Sequence, residues 1–359
     1  MTLAAAAFLP ALLGATFEVP AGADLGAALA AAQPGDEIRL GPGAHAGSLG
    51  RVRGPLSISG AGAGSTSLVA PEGEDGLVVE GGTVRLSGLS LRSGPRRAAL
   101  KVLAGEVLAE DLAATGGAVG VFVESGSFSA REVDLSGDYG LLLHGGSVSV
   151  TGGAARGVRA AIAQLHGESV LSRLAVSGPS IEAGVTISGG TASLEDLVIR
   201  SPGPAGLSVL GTARVDARRL DISGAVEEDG GILGDCVQVR RGALRLEAST
   251  LTRCGGAAVE VLGGEVEVRA VDAVGGEAGC LVFLEKSRAE LQGDRCTGHG
   301  PALVAASSSQ VHASMDHWLA DPVLWVECGS GARVHLGVGE AVREPCRDGV
   351  DRLDKTTRP

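Results

Sequence analysis

The sequence predicts an all-β solenoid in which short parallel strands wind into stacked coils. Three observations predict it. A five-residue pattern, Gly-x-apolar-x-apolar, recurs at steps of 20–23 residues, with one step of 31. A second alternating segment precedes each copy. Gly is abundant (58 of 359 residues) and aromatics are scarce (5 Phe, 2 Trp, 1 Tyr), which suits a narrow, layered interior. A single coil of this length cannot bury its own apolar face, so the coils must stack.

The first element is a short apolar run at residues 3–15, LAAAAFLPALLGA. It is too short to span a membrane as a helix. Its small residues near Ala15 are those of an export signal, although only the amino terminus supplies positive charge. The reading is a signal peptide over 1–15; the alternative is a buried cap helix. No later stretch reaches 18 apolar residues, so no membrane span is expected in the mature chain.

The repeat then runs from Gly82-Thr83-Val84-Arg85-Leu86 through copies starting at Gly105, Gly126, Gly146, Gly167, Gly190, Gly211, Gly242 and Gly264. Ser287 and Ser309 take the Gly place in two later copies, and the last copy lies near Ala332. Three residues before each start, an apolar column reads Val79, Val102, Val123, Leu143, Gln164, Ile187, Ser208, Val239, Val261, Leu284 and Ala306. Five residues before, it begins Leu77, Leu100, Val121, Leu141, Ile162 and Val185. Alternation of this kind marks half-buried strands. A third apolar segment, such as 197–199 or 220–222, completes each coil before a Gly/Ser/Pro turn. Thirteen or fourteen coils at about 4.8 Å each give a rod of roughly 60–70 Å. Leucine-rich repeats have a similar period but need an Asn position, and this sequence has no Asn.

On these residues the chain resembles the right-handed parallel β-helix proteins of the pectin-lyase-like class. The entrance strengthens the resemblance. Phe17-Glu18-Val19-Pro20, an amphipathic stretch over 24–32 and the turn Gln33-Pro34-Gly35-Asp36 resemble that class's N-terminal cap, and residues 56–62 resemble its next coil. The resemblance implies a single β-helix domain over 16–340, with a cap over 16–45, coils from about 46 and a polar tail over 341–359. It also implies a possible activity, polysaccharide lyase or glycoside hydrolase, with Ca²⁺ as the cofactor if the protein is a lyase.

The residues do not supply that chemistry. A Ca²⁺ site needs several oxygen ligands on adjacent coils. Of Glu110, Asp111, Glu132, Asp134, Asp138, Glu195, Asp196 and Asp221, several fall in the third segment of successive coils, but Arg218 and Arg219 interrupt them and Asp138 lies at a turn. They read as a solvated face. Glycoside hydrolysis needs paired carboxylates. Of the polygalacturonase-like motifs only Gly298-His299-Gly300 is present, and the Asp-Pro-His of mannuronan epimerases is absent. No Cys or His spacing suggests a zinc site, so no metal is expected. The step of 31 inserts a loop over 225–235, which brings Glu227, Glu228, Asp229 and Asp235 near Arg240 and Arg241 as a candidate ligand-binding patch. His144 and His166 read as turn residues, and Trp318 and Trp325 as cap packing.

All six cysteines lie late in the chain: Cys236, Cys254, Cys280, Cys296, Cys328 and Cys346. Their near-even spacing suggests three local disulfides, with 328–346 the first choice. Cys236 and Cys280 lie two coils apart, about 9–10 Å, and cannot bond. Disulfides fit an exported protein. A net charge of −12 argues against nucleic acid as a partner. The absence of Asn and the preference for Arg over Lys suggest a bacterial source. The sequence therefore predicts an exported, extracytoplasmic β-helix that acts as a non-catalytic binding or structural module. Its expected partner is a polysaccharide or a cell-surface protein, and a polysaccharide-active enzyme is the alternative.

Overall fold

The computed structural model describes residues 14–23, 25–200, 203–225, 234–298, 300–314, 317–319, 324–326 and 331–336. Its strands form a parallel β-solenoid of about 13 turns. A typical coil contributes a stretch of strand to each of three faces of the solenoid, here called sheets and numbered in the order the chain meets them within a coil. Ala257–Leu262 lies in the first sheet, Glu265–Arg269 in the second and Asp272–Gly275 in the third. Each pairs in parallel with its equivalent in the next coil, as Val259 with Leu281, Val266 with Ala289 and Ala273 with Cys296.

The recurring pattern is the second sheet. Its two apolar positions point inward and its x positions point out, because successive side chains of a strand alternate faces. Val84, Val107, Phe128 and Val148 thus form one inner column and are at most 2% exposed. The first sheet supplies another, from Leu77 and Leu100 through Val185, Leu207 and Val259 to Leu303, all at 0%. Phe128 and Phe283 are the largest side chains in this interior. The remaining layers are mainly Val, Leu, Ile and Ala, with Gln164 and the four disulfide cysteines among them.

The second inner column of the first sheet departs from the expected one at three places. Val209 pairs with Ile187, so Val209 points inward and Ser208 outward. Phe283 and Ala305 likewise take the inward places assigned to Leu284 and Ala306. The cause is the bend between the first and second sheets. In these coils it is one residue longer and uses left-handed residues, such as Gly211, the pair Glu285 and Lys286, and the pair Ser307 and Ser308. Counting back a fixed three residues then lands on the wrong face. The same insertion moves the copy placed at Gly211, since Arg214 rather than Thr212 pairs with Thr191.

In most coils the corner between the second and third sheets is a single left-handed residue; the coil at Gly152 and Gly153 uses two. Asp111, Glu132, Asp196, Arg219, Ala248 and Ala270 occupy it with φ between 50° and 56°. Short polar side chains tolerate this conformation better than most. The acidic residues that recur there are therefore corner residues.

At the N-terminal end, Thr16–Val19 already pairs with Glu37–Leu40. The helix Leu25–Ala31 buries Leu25 and packs Ala28 and Leu29 against the open core. Asp36 fixes the return, since its carboxylate accepts the Ala15 N–H at 2.7 Å and the Gln33 N–H at 2.6 Å. Two local disulfides close coils near the other end. Cys236 bonds Cys254 and Cys280 bonds Cys296, with Cα atoms 5.2 and 6.1 Å apart. Cys328 and Cys346, the export run before residue 14 and the tail lie outside the described residues.

Candidate binding face

The outward row of the first sheet is mostly closed to ligands. Val78, Ala163, Ser208, Val282 and Val304 are all buried. The outward face of the second sheet is open and polar, and two shallow grooves run along it, of about 660 and 740 Å³. They follow from the x positions of the repeat, which register pairing aligns into columns along the rod.

The N-terminal groove is rich in hydroxyls. Ser57, Ser59, Ser87, Ser129, Ser149 and Thr151 line it, together with Arg85, Glu110 and Arg131. Arg85 and Arg131 are exposed, and neither pairs with a carboxylate among the described residues. Two guanidinium forks are thus available to a ligand amid hydroxyl donors and acceptors.

The C-terminal groove is a lattice of opposite charges. Arg218 lies 3.2 Å from Asp216 and 3.6 Å from Glu247. Arg245 lies 3.6 Å from Glu247 and 3.7 Å from Glu267, and Glu267 also pairs with Arg269. Arg288 lies 3.6 Å from Glu265. These side chains are largely a third or more exposed, so each pair contributes at most about 1 kcal/mol. Their effect is to neutralise the carboxylates. The Nε of Arg245 is buried and has no hydrogen-bond partner. Glu290 carries no ion pair among the described residues and precedes His312 in the same column.

Four of the acidic residues noted in the sequence, Asp134, Glu195, Asp196 and Asp221, are held by arginines across coils. Asp134 accepts a 2.7 Å bond from Arg156, Asp196 one of 2.6 Å from Arg219, and Asp221 one of 3.1 Å from Arg200. Glu195 also pairs with Arg219. The guanidinium of Arg219 holds the Asp196 carboxyl below the usual carboxylate range. Asp111 accepts the Ala63 N–H at 3.0 Å. Among the described residues no three His, Cys, Asp or Glu side chains converge as metal ligands.

The inserted-loop residues Glu227, Glu228 and Asp229 lie outside the described residues. Asp235 is buried at the start of its strand and accepts the Ala257 N–H at 2.7 Å. Arg240, at the other end of the same strand, and Arg241, in the following bend, are exposed. Asp235 and these two arginines are therefore not brought together. His144 and His166 are exposed beside bends, and His299 lies outside the described residues. The grooves themselves escaped sequence reasoning, which aligned the apolar positions of the repeat. Aligning the x positions would have exposed the columns of Ser, Arg and Glu.

No protein-family model matches the sequence, and comparison with curated proteins finds no match. Among solved structures the chain is similar to the A-module of the Azotobacter vinelandii mannuronan C-5 epimerase AlgE4. Identity is 12%, the match covers 88% of this chain and 93% of that one, and the TM-score is 0.53. It is also similar to the AlgE6 A-module of the same organism, at 13% identity, the same coverage and a TM-score of 0.45. A tailspike protein of Escherichia coli O157:H7 bacteriophage CAB120 matches at 11% identity over 77% of this chain and 38% of that one, with a TM-score of 0.41. At these identities the likeness is one of fold: the chain is a parallel β-helix like the pectin-lyase-like proteins.

Proposed function

We propose that the chain is an extracytoplasmic, non-catalytic β-helix module that binds a polysaccharide along the outward face of its second sheet. The observation that carries this reading is the hydroxyl-lined N-terminal groove with two unpaired arginines, Arg85 and Arg131, two coils apart. Hydroxyls repeating at the strand spacing offer a row of bonds to an extended, hydrated chain, and the guanidiniums favour one that bears carboxylate or sulfate groups. The AlgE4 A-module is a mannuronan epimerase, so this fold can serve a polysaccharide. That likeness is one of fold; the groove carries the reading.

The non-catalytic part of the reading has separate support. Asp216, Glu265 and Glu267 of the C-terminal groove are ion-paired to arginines, the epimerase motif is missing, and of the polygalacturonase-like motifs only Gly298-His299-Gly300 is present. The two disulfides favour an oxidising compartment.

The test is affinity electrophoresis and thermal shift of the full chain against acidic and neutral polysaccharides, with and without Ca²⁺. Unsaturated products and reducing ends are followed in the same samples. Retardation by an acidic polysaccharide that Arg85→Ala and Arg131→Ala abolish supports the reading. Binding indifferent to both variants removes the N-terminal groove from it. Product formation makes the protein an enzyme. Silence with every polysaccharide redirects the search to a protein of the cell surface.

A further inference from the structure

His312 and His335 stand in one outward column of the second sheet. Their strands, Gln310–Ser314 and Arg333–Leu336, are paired in register with these two residues opposite. The imidazole rings stack with centroids 4.7 Å apart and planes 6° from parallel. Both residues are exposed. A pocket of about 190 Å³ lies against them, lined also by Arg269, Glu290, Gln292 and Ser314. His312 faces the larger C-terminal groove as well.

We propose that His312 and His335 form a two-imidazole clamp for a single divalent transition metal, Cu²⁺, Ni²⁺ or Zn²⁺. Neither ring makes a hydrogen bond among the described residues, so a nitrogen lone pair on each is available for ligation. Imidazole selects these borderline metals, whereas carboxylate and carbonyl oxygens suit Ca²⁺ and Mg²⁺. Metal–nitrogen bonds of about 2.0–2.1 Å hold two ligating nitrogens within roughly 4.2 Å of each other. Register-paired parallel strands place the two Cα atoms about 4.8 Å apart. Rotation about the side-chain bonds of two exposed residues therefore converges both nitrogens on one ion with the backbone left in place.

Glu290 precedes His312 in the same column and is free of ion pairs among the described residues, so it adds negative charge beside the ion. With two protein ligands the site is open rather than closed. Its remaining positions face the groove and are filled by water or by an oxygen of a bound molecule. Among the three metals, Cu²⁺ binds tightest. The clamp does not depend on the polysaccharide reading, since its ligands lie outside the N-terminal groove.

The experiment is titration of the full-length chain with Cu²⁺, read by electron paramagnetic resonance and by calorimetry. The expected result is one equivalent with two-nitrogen hyperfine structure. His312→Ala and His335→Ala each weaken that equivalent by about tenfold or more, the scale set by loss of even an indirect partner of a metal ligand. His144→Ala and His166→Ala leave it unchanged. A second reading needs no variant: paramagnetic broadening in the native chain must centre on residues 290, 312 and 335. Broadening centred elsewhere, single-nitrogen coordination, or an affinity indifferent to His312→Ala would overturn the proposal.

Discussion

The phenol of Tyr139 donates a hydrogen bond to Glu182 Oε1 at 3.1 Å across two coils of the solenoid. Arg159, on the coil between them, donates its Nε–H to the same oxygen at 2.9 Å, and its guanidinium lies 5.6 Å from the tyrosine ring centroid. Long-range bonds of this kind are local in a solenoid, where a separation of 43 residues is a step of two layers.

This arrangement makes a titration prediction. Burial pushes the Tyr139 hydroxyl above its ordinary value, and the Glu182 charge and hydrogen bond push it further, with Arg159 opposing. A value raised on folding stabilises fully below the unfolded value, near 10. That contribution is lost as pH rises through the folded value. Tyr139 is the sole tyrosine, so absorbance near 295 nm reports it alone. The native midpoint should lie above about 10, and Glu182→Gln should lower it. A native midpoint at or below the ordinary value would contradict the assignment.

Gln164 is the polar residue in an otherwise apolar inner column, and it is 1% exposed. Its amide donates to the carbonyls of Gly167, Gly189 and Thr191 at 3.0–3.2 Å, and it accepts the Ser169 hydroxyl at 2.6 Å. Gln164→Leu should destabilise the protein by about 1–3 kcal/mol, because buried partners lose their bonds. Adding Ser169→Ala should recover part of that loss, since removing both partners costs less than orphaning one. Denaturant unfolding of the two single variants and the double measures the coupling. Strict additivity would mean that the Gln164–Ser169 bond contributes nothing.

The coil period and the alternation were legible because burial imposes them directly. Inward positions are small or apolar, with Gln164 the hydrogen-bonded exception among the strand columns described above, and every second residue of a strand is inward. The pairing of Cys236 with Cys254 and of Cys280 with Cys296 was legible from spacing for the same reason. The inward places of Val209, Phe283 and Ala305 were not, because a bend longer by one residue leaves the local pattern intact while reversing its face. Leu284 and Ala306 are apolar too, so hydropathy could not choose between neighbours. Asp111, Glu132 and Asp196 suggested a stacked acidic face for a reason that concerned the backbone. They serve a left-handed corner, and φ is not written in composition. The grooves stayed hidden because residues lining them, such as Arg85 and Arg131, lie about 46 residues apart and meet only once the register is known.

The corner also makes a stability prediction. Ala248 and Ala270 hold φ values of 50° and 52°. A left-handed alanine costs roughly 1–2 kcal/mol, whereas glycine adopts the same angle freely but loses about 0.4–1 kcal/mol through its looser unfolded chain. The strain term is the larger one. Ala248→Gly and Ala270→Gly should each stabilise the fold by up to about 1 kcal/mol and raise Tm by a few degrees. A fall in Tm for both would show that the alanine methyl groups pack well enough to offset the strain.

The disulfides test how far stability is shared along the rod. Each closes a loop of similar length, with sequence separations of 18 and 16, for which the chain-entropy model gives about 3 kcal/mol. All four sulfurs belong to residues at most 4% exposed, so paired substitution is a cleaner test than reduction. In a stack whose layers touch only their neighbours, a destabilised coil opens with its own neighbourhood rather than with the whole molecule. Cys236→Ala with Cys254→Ala should therefore raise amide exchange across about residues 205–298, while strands such as Ser127–Leu143 and Ser147–Gln164 keep their protection. The second pair, Cys280→Ala with Cys296→Ala, should move the exposed segment towards the C-terminal end. Uniform loss of protection from Thr16 to Leu336 in either variant would mean that the solenoid unfolds as one unit. In that case a bridge near one end would support the coils that carry Arg85 and Arg131 as much as its own.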